Sequence, residues 1–229
     1  MKAVILAGGY GKRLMPLTAT LPKPLVEVGG KPIIEWQISW LKSLGISSFV
    51  LLVGHLRNKL IEHMGKKAQE LGVSVEYSEE PEPMGTAGAL KNAKKLLSEE
   101  REFIMLNGDN ITNINVDSLH INASIASIAL VPLRSTYGIV KTAGERVISF
   151  DEKPLIKDYW MNAGVYMMSH EIFGYLPERG NLENTTFTEL TKEGKLGAVK
   201  FPSAYFKGVD SIKDIDEVSH DLLSGKIYG

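Results

Sequence analysis

Three short apolar runs, Ala3-Val4-Ile5-Leu6-Ala7 and residues 49–53 and 103–106, together with a strand-like stretch at Val73 to Tyr77, are parted by stretches of helical period, and that alternation admits few folds. After the first run, Pro32 suits the first turn of a helix, Ile34, Ile38, Leu41 and Leu44 form one apolar stripe, and Gly45 stops it. Further helices are predicted over residues 57–71 and 86–97. The spacing predicts an α/β fold with a Rossmann-like, mostly parallel sheet and helices on both faces. Ligands of such sheets sit beyond the carboxyl ends of the strands, where the winding reverses. With the first and fourth strands as neighbours, Gly8 and Asp109 face each other across that crevice.

The segment Gly8-Gly9-Tyr10-Gly11-Lys12-Arg13 follows the first strand, and Pro22-Lys23-Pro24 lies just beyond it. Three glycines in four positions let main-chain N–H groups converge on anionic oxygens, and Lys12, Arg13 and Lys23 add cations beside them. Two known phosphate loops fail here. A Walker A loop needs a glycine and a Ser or Thr where this chain has Leu6 and Arg13, and G-x-G-x-x-G counted from Gly9 ends on Leu14. The fourth strand ends at Asn107-Gly108-Asp109-Asn110, where a carboxylate can hold Mg²⁺ against phosphate oxygens.

Residues 1–60 carry eight cations against two acids on a chain whose net charge is −1. A basic segment on a near-neutral chain suits a small polyanion rather than nucleic acid, which favours a broad basic face. The lack of cysteine excludes disulfides, thiolate zinc sites and Cys nucleophiles. The five-residue apolar core at the start is too short for a signal peptide, and no run approaches a membrane span, so the expectation is a cytoplasmic protein with no membrane partner.

The second half is predicted to hold strands over residues 125–131, 139–140, 147–150 and 161–168, with a turn at Gly144, as an antiparallel extension over the crevice. An amphipathic helix from about Ser211, with Ile212, Ile215, Val218 and Leu222 on one side, closes the chain. His55, His63, His120, His170 and His220 lack metal-ligand spacing, and Trp36 and Trp40 read as core or interface residues.

The pattern Leu6-Ala7-Gly8-Gly9-x-Gly11-x-Arg13-Leu14-x-Pro16-Leu17-Thr18 followed by Pro22-Lys23-Pro24-Leu25 resembles the opening of the sugar-1-phosphate nucleotidyltransferases, the nucleotide-sugar pyrophosphorylases. The resemblance implies a reaction in which a sugar-1-phosphate oxygen attacks the α-phosphorus of a nucleoside triphosphate and expels pyrophosphate, with Mg²⁺ as cofactor. It makes Arg13, Lys23 and Asp109 catalytic, Arg13 on the β,γ-phosphates and Asp109 on the metal. Leu6, Ala7, Gly8, Gly9, Gly11 and Lys12 then hold the nucleotide, and Pro83, Gly85, Thr86 and Gly88 match the base-recognition segment. The Gly-Thr-Ala-Gly form of that segment resembles mannose-1-phosphate guanylyltransferases most. Asn110, Gly138, Glu152, Lys153 and Asn162 look like the sugar-phosphate elements, and residues 187–201 also resemble the family.

Two positions depart from the pattern. Gly208 occupies the place of an aspartate that is a second metal ligand in many relatives, with Asp210 as its candidate replacement, and Met15 stands where an arginine is frequent. The hexapeptide repeats of longer relatives are missing, so the expectation is one catalytic domain over residues 1–229, with a nucleotide-binding half (1–115) and a sugar-binding half (116–229). GTP with mannose-1-phosphate is the favoured pair. Rival readings are a glucose-1-phosphate uridylyl- or thymidylyltransferase, a short relative acting on heptose or amino-sugar phosphates, and a catalytically inactive nucleotide-sugar-binding regulatory subunit. A homo-oligomer is left open.

Overall fold

A computed structural model describes residues 1–228. In chain order its first half contains β1 (Ala3–Leu6), β2 (Glu27–Val28), β3 (Lys31–Pro32), α1 (Ile33–Ser43), β4 (Ser48–Val53), α2 (Arg57–Leu71), β5 (Ser74–Glu79), α3 (Gly85–Asn92), β6 (Glu102–Asn107) and β7 (Asn110–Thr112). Its second half contains β8 (Ala126–Arg134), β9 (Ile139–Ala143), β10 (Arg146–Asp151), β11 (Leu155–Ser169), α4 (Thr186–Lys192), β12 (Leu196–Lys200), β13 (Phe206–Gly208) and α5 (Ile212–Leu223).

A seven-stranded sheet runs β12-β8-β11-β6-β1-β4-β5. Strand β11 alone opposes the other six, being antiparallel to both β6 and β8. The second half thus continues the same sheet, and the antiparallel character lies in β11 and in the separate β9–β10 hairpin, which turns at Gly144 as the sequence predicts. Alternation along the buried strands assigns the two faces. Ile5, Leu51, Val53 and Leu106 pack against Ile34, Ile38 and Leu41 of α1 and Leu60 and Met64 of α2. Val4, Val50, Leu52 and Met105 pack against Ala87 and Leu90 of α3 and Phe187 and Leu190 of α4. Each fully buried aliphatic side chain contributes about 1.5–3 kcal/mol, so both helical layers are fixed chiefly by these apolar faces.

Two predicted elements shift. The helix expected over 86–97 stops at Asn92 and continues as a 3-10 turn, Lys94–Leu97. The apolar stripe of α5 loses Ile212, which is 55% exposed in the first turn while Val218 is buried. Ser211 caps that helix: its Oγ accepts from the Asp214 N–H at 3.2 Å and donates to Asp214 Oδ2 at 2.7 Å. Among the described residues no helix is long and apolar enough to cross a membrane.

Candidate functional site

From β1 the sheet proceeds to β4 and β5 on one side and to β6 on the other, so the winding reverses between β1 and β6. Leu6 pairs with both Leu52 and Asn107, which brings the glycine turn after β1 beside the acidic turn after β6. The Gly108 N–H donates to the Leu6 carbonyl at 3.0 Å, and a Cβ on Gly108 would collide with that carbonyl. Glycine is therefore what lets the two turns touch. Gly11 has φ +60°, with Thr18 closing over it and donating its hydroxyl to the Gly11 carbonyl at 2.8 Å.

The cleft between these turns has a volume of about 340 Å³. Its walls gather Leu6, Ala7, Gly8, Gly9, Lys23, Pro83, Gly85, Thr86 and Asp109 from the residues proposed by sequence. Gly11, Lys12 and Gly88 are not part of the walls; Lys12 is exposed, and Gly88 faces the backbone of Glu178 and Arg179.

Charge is concentrated at one end. Lys23 Nζ lies 2.7 Å from Asp109 Oδ2 and 2.6 Å from Asp210 Oδ1, and Arg13 Nη1 lies 2.8 Å from Asp210 Oδ2. Lys23 is fixed on a 3-10 turn whose Pro24 and Leu25 are buried, and its own side chain is only 12% exposed. Arg13, on the turn Lys12–Leu14, is 74% exposed. The order Arg13, Asp210, Lys23, Asp109 alternates sign, which is how two carboxylates share so small a space.

Asp210 reaches Asp109 through the ladder of β7 and β13. Gly208 pairs with Asn110, and the Val209 N–H donates to the Asp109 carbonyl at 2.8 Å. Asp210 lies two residues past the end of β13, and a Cβ on Gly208 would stand 3.8 Å from Asp210 Oδ2, so side chains at the two positions reach the same place. Two carboxylates are hard oxygen donors of the kind Mg²⁺ takes when phosphate oxygens and water complete its octahedron. Among the described residues no cluster of three or more His, Cys, Asp or Glu provides an all-protein metal cage.

At the other end α3 begins. The Ala87 N–H donates to the Gly180 carbonyl at 2.9 Å, and the Thr86 hydroxyl accepts from the Leu182 N–H at 2.8 Å. Glu80, Tyr10, Asn181 and Glu183 also line the cleft, and none of the four is among the site residues expected from the sequence. Glu80 was findable, since it directly follows β5 at the carboxyl edge of the sheet. Its Oε2 accepts from the Met84 N–H at 3.0 Å, while Oε1 stands beside Gly8 with no protein donor among the described residues. Burial raises the Glu80 carboxyl above the usual carboxylate range, against the lowering effect of the Met84 N–H. Asn181 and Glu183 come from a connection with no phosphate-loop signature, so nothing local marked them.

The proposed sugar-phosphate residues do not converge in the same way. Asn110 is buried and its Nδ2 donates to the Ala163 carbonyl at 3.1 Å. Asn162 donates to the Tyr166 hydroxyl at 2.9 Å and accepts from the Gly164 N–H at 2.8 Å. Asn110 thus holds the turn after β6 against β11, while Asn162 is engaged within β11 itself. Gly138, Glu152 and Lys153 lie at the root of the β9–β10 hairpin, outside the walls of the cleft, with the Glu152 and Lys153 side chains exposed and 3.8 Å apart. Met15 is exposed as well.

A sequence profile described as nucleotidyl transferase matches residues 2–224. The chain is 36% identical over 208 residues to a mannose-1-phosphate guanyltransferase of Aspergillus oryzae, covering 86% of this chain and 57% of that protein. It is 36% identical over 211 residues to the mannose-1-phosphate guanylyltransferase catalytic subunit beta of Danio rerio, covering 87% and 59%. The chain thus spans less than two thirds of the length of these relatives. The crystal structure of HddC from Yersinia pseudotuberculosis superposes with a TM-score of 0.77 at 27% identity, covering 96% of this chain and 99% of that one. The same protein complexed with GMP-PN gives 0.73.

Proposed function

Because the chain belongs to the nucleotidyl transferase family, we propose that it joins a nucleoside triphosphate to a sugar-1-phosphate with release of pyrophosphate, and that its pair is GTP and mannose-1-phosphate. The observation that carries this reading is the meeting of Asp109, Lys23 and Asp210 at the mouth of the glycine turn, where the sheet reverses its winding.

In this reaction an oxygen of the sugar phosphate forms a bond to the α-phosphorus while the bond from that phosphorus to the α,β-bridging oxygen breaks. A phosphate monoester, with its second pKa near 6, is mostly dianionic at pH 7, so no protein base is needed. The protein's task is to align two anions that repel and to meet the charge that develops on the departing pyrophosphate. Backbone N–H groups of Gly8, Gly9 and Gly11 receive the phosphates, Arg13 reaches the β,γ end from its exposed turn, and Lys23 lies nearest the reacting phosphorus. Asp109 and Asp210 would hold Mg²⁺, which screens the phosphate charge when bound. Strands from residues 1–115 and 116–229 share one sheet, which supports a single catalytic domain with nucleotide and sugar halves.

The preference for guanine rests on Glu80. Guanine presents two adjacent donors, N1–H and the 2-amino group, to a carboxylate with a free oxygen. Uracil and thymine offer one donor flanked by carbonyls that repel it, and adenine offers an acceptor at N1. Relatives named mannose-1-phosphate guanyltransferase and guanylyltransferase support the same pair.

The test is pyrophosphate release across a panel of nucleoside triphosphates and sugar-1-phosphates with Mg²⁺. Turnover with GTP and mannose-1-phosphate is expected to exceed every other combination. Tight binding of a nucleotide sugar without turnover on any pair would instead identify a regulatory subunit.

A further inference from the structure

Gln37 interrupts the apolar face of α1. It follows Ile33 and Ile34 by four and three residues and precedes Ile38, all fully buried, and is itself only 1% exposed. An amide taken out of water costs free energy unless it is hydrogen-bonded, so its presence there calls for a reason. Its Nε2 donates to the Asn107 carbonyl at 2.8 Å and to the Asn110 carbonyl at 2.9 Å, which uses both of its hydrogens. Its Oε1 is buried and has no donor among the described residues. Turning the amide over would set that oxygen against two carbonyls, so the donors must face the turn. A methionine would fill the same space with no orphaned oxygen. The residue therefore serves the two carbonyls rather than the core.

Those carbonyls bracket Gly108 and Asp109: Asn107 ends β6 and Asn110 begins β7. The Gly108 N–H ties the middle of the turn to the Leu6 carbonyl, and the Val209 N–H ties the Asp109 carbonyl to the segment after β13. Neither contact sets the distance between the two ends of the turn, whereas Gln37 grips both ends with one nitrogen. We infer that Gln37 is a positioning residue for the reaction: from outside the walls of the cleft it sets the span of the turn and so the place of the Asp109 carboxylate beside Lys23. The inference rests on the reading of Asp109 as a catalytic residue. It adds a side chain on α1 that touches no substrate and acts only through that carboxylate.

The test compares wild type, Gln37→Met, Asp109→Ala and the double variant in the full chain. In Gln37→Met, amide hydrogen exchange followed by mass spectrometry is expected to rise about ten-fold over residues 107–112, with β4 and β5 unchanged. Its kcat for pyrophosphate release is expected to fall about 10–100-fold, with KM for both substrates held within about three-fold. In the Asp109→Ala background, the same change is expected to alter kcat by less than about two-fold, because the carboxylate it positions is gone. Unchanged exchange at the turn, exchange that rises across the whole sheet, or an equal loss of kcat in both backgrounds overturns the proposal. Should wild type turn over no substrate pair, the proposed function fails, and the exchange measurement still decides whether Gln37 holds the turn. Should Gln37→Met fail to fold, Gln37→Glu takes its place: it keeps the shape and sets an ionised carboxylate against the two carbonyls, and the same outcomes decide.

Discussion

The two ends of this molecule's chemistry are built on different foundations. At the proposed nucleotide end, turns leave the carboxyl edges of β1 and β6, strands with both faces buried, and contacts within the chain fix them: the Gly108 N–H on the Leu6 carbonyl, and Lys23 between Asp109 and Asp210. At the proposed sugar end, Gly138, Glu152 and Lys153 lie at the root of a two-stranded hairpin, with the Glu152 and Lys153 side chains exposed. A site set by a buried sheet is assembled before any ligand arrives, so its residues act on rate. A site on an exposed ribbon must be brought to its ligand, so its residues act on binding.

The sharpest break in that comparison comes from Asp109→Ala. Loss of the carboxylate that anchors Lys23 is expected to lower kcat by on the order of 10³, with KM for the sugar phosphate changed far less. Pyrophosphate release measured beside an unchanged melting temperature checks it. Arg13→Ala tests the outer edge of the same end. Its guanidinium is exposed and held by a single ion pair with Asp210, so the expected loss is smaller, about 10² in turnover with folding intact. Near-normal turnover of Arg13→Ala would move the β,γ-phosphates off this turn.

Glu80 gives the next largest effect, on selectivity rather than rate. Glu80→Gln keeps one acceptor and adds donors, so the GTP preference in kcat/KM over UTP is expected to fall by about 10–100-fold, measured by competing the two triphosphates. The pH dependence has a definite sign. Burial raises the Glu80 carboxyl above its unfolded value, so the folded state binds more protons in the window between the two, and stability falls as pH rises through that window. Guanine requires the ionised form, so GTP binding is expected to weaken as pH drops through the raised value. Glu80→Gln is expected to abolish both trends, which a pH series of melting temperatures and of GTP affinity would report.

How much of this was legible beforehand follows the same division. The facing of Gly8 and Asp109 was readable once the first and fourth strands are taken as neighbours, because β1 and β6 carry unbroken apolar runs and the winding rule converts their adjacency into a place for the ligand. Asp210 was readable only as a substitute for the residue missing at 208; the 3.8 Å between a Cβ at 208 and Asp210 Oδ2 is the physical reason that the shift leaves the carboxylate in the same place. Asn181 and Glu183 were not readable, because they reach the cleft through tertiary contact with the start of α3 and carry no local pattern. Asn110 and Asn162, which a matching motif suggested, carry internal roles that no local pattern announces: Asn110 ties the turn after β6 to β11, and Asn162 braces β11 itself through Tyr166 and Gly164.

The smallest expected effect belongs to Lys153, and it decides whether the comparison holds. Its side chain is 56% exposed and its Nζ lies 3.8 Å from Glu152 Oε1, an arrangement worth little in water. Lys153→Ala should therefore leave stability unchanged. If the hairpin carries the lysine to the sugar phosphate only on binding, KM for that substrate rises about ten-fold while kcat moves by less than about three-fold, the split expected when a contact is equal in the ground and transition states. Steady-state kinetics with sugar-1-phosphate varied at saturating triphosphate measures both. A fall in kcat as deep as that of Arg13→Ala would mean that the ribbon sits against the reacting phosphorus as firmly as the turn after β1 does, and the contrast between a preassembled end and a recruited one would have to be given up.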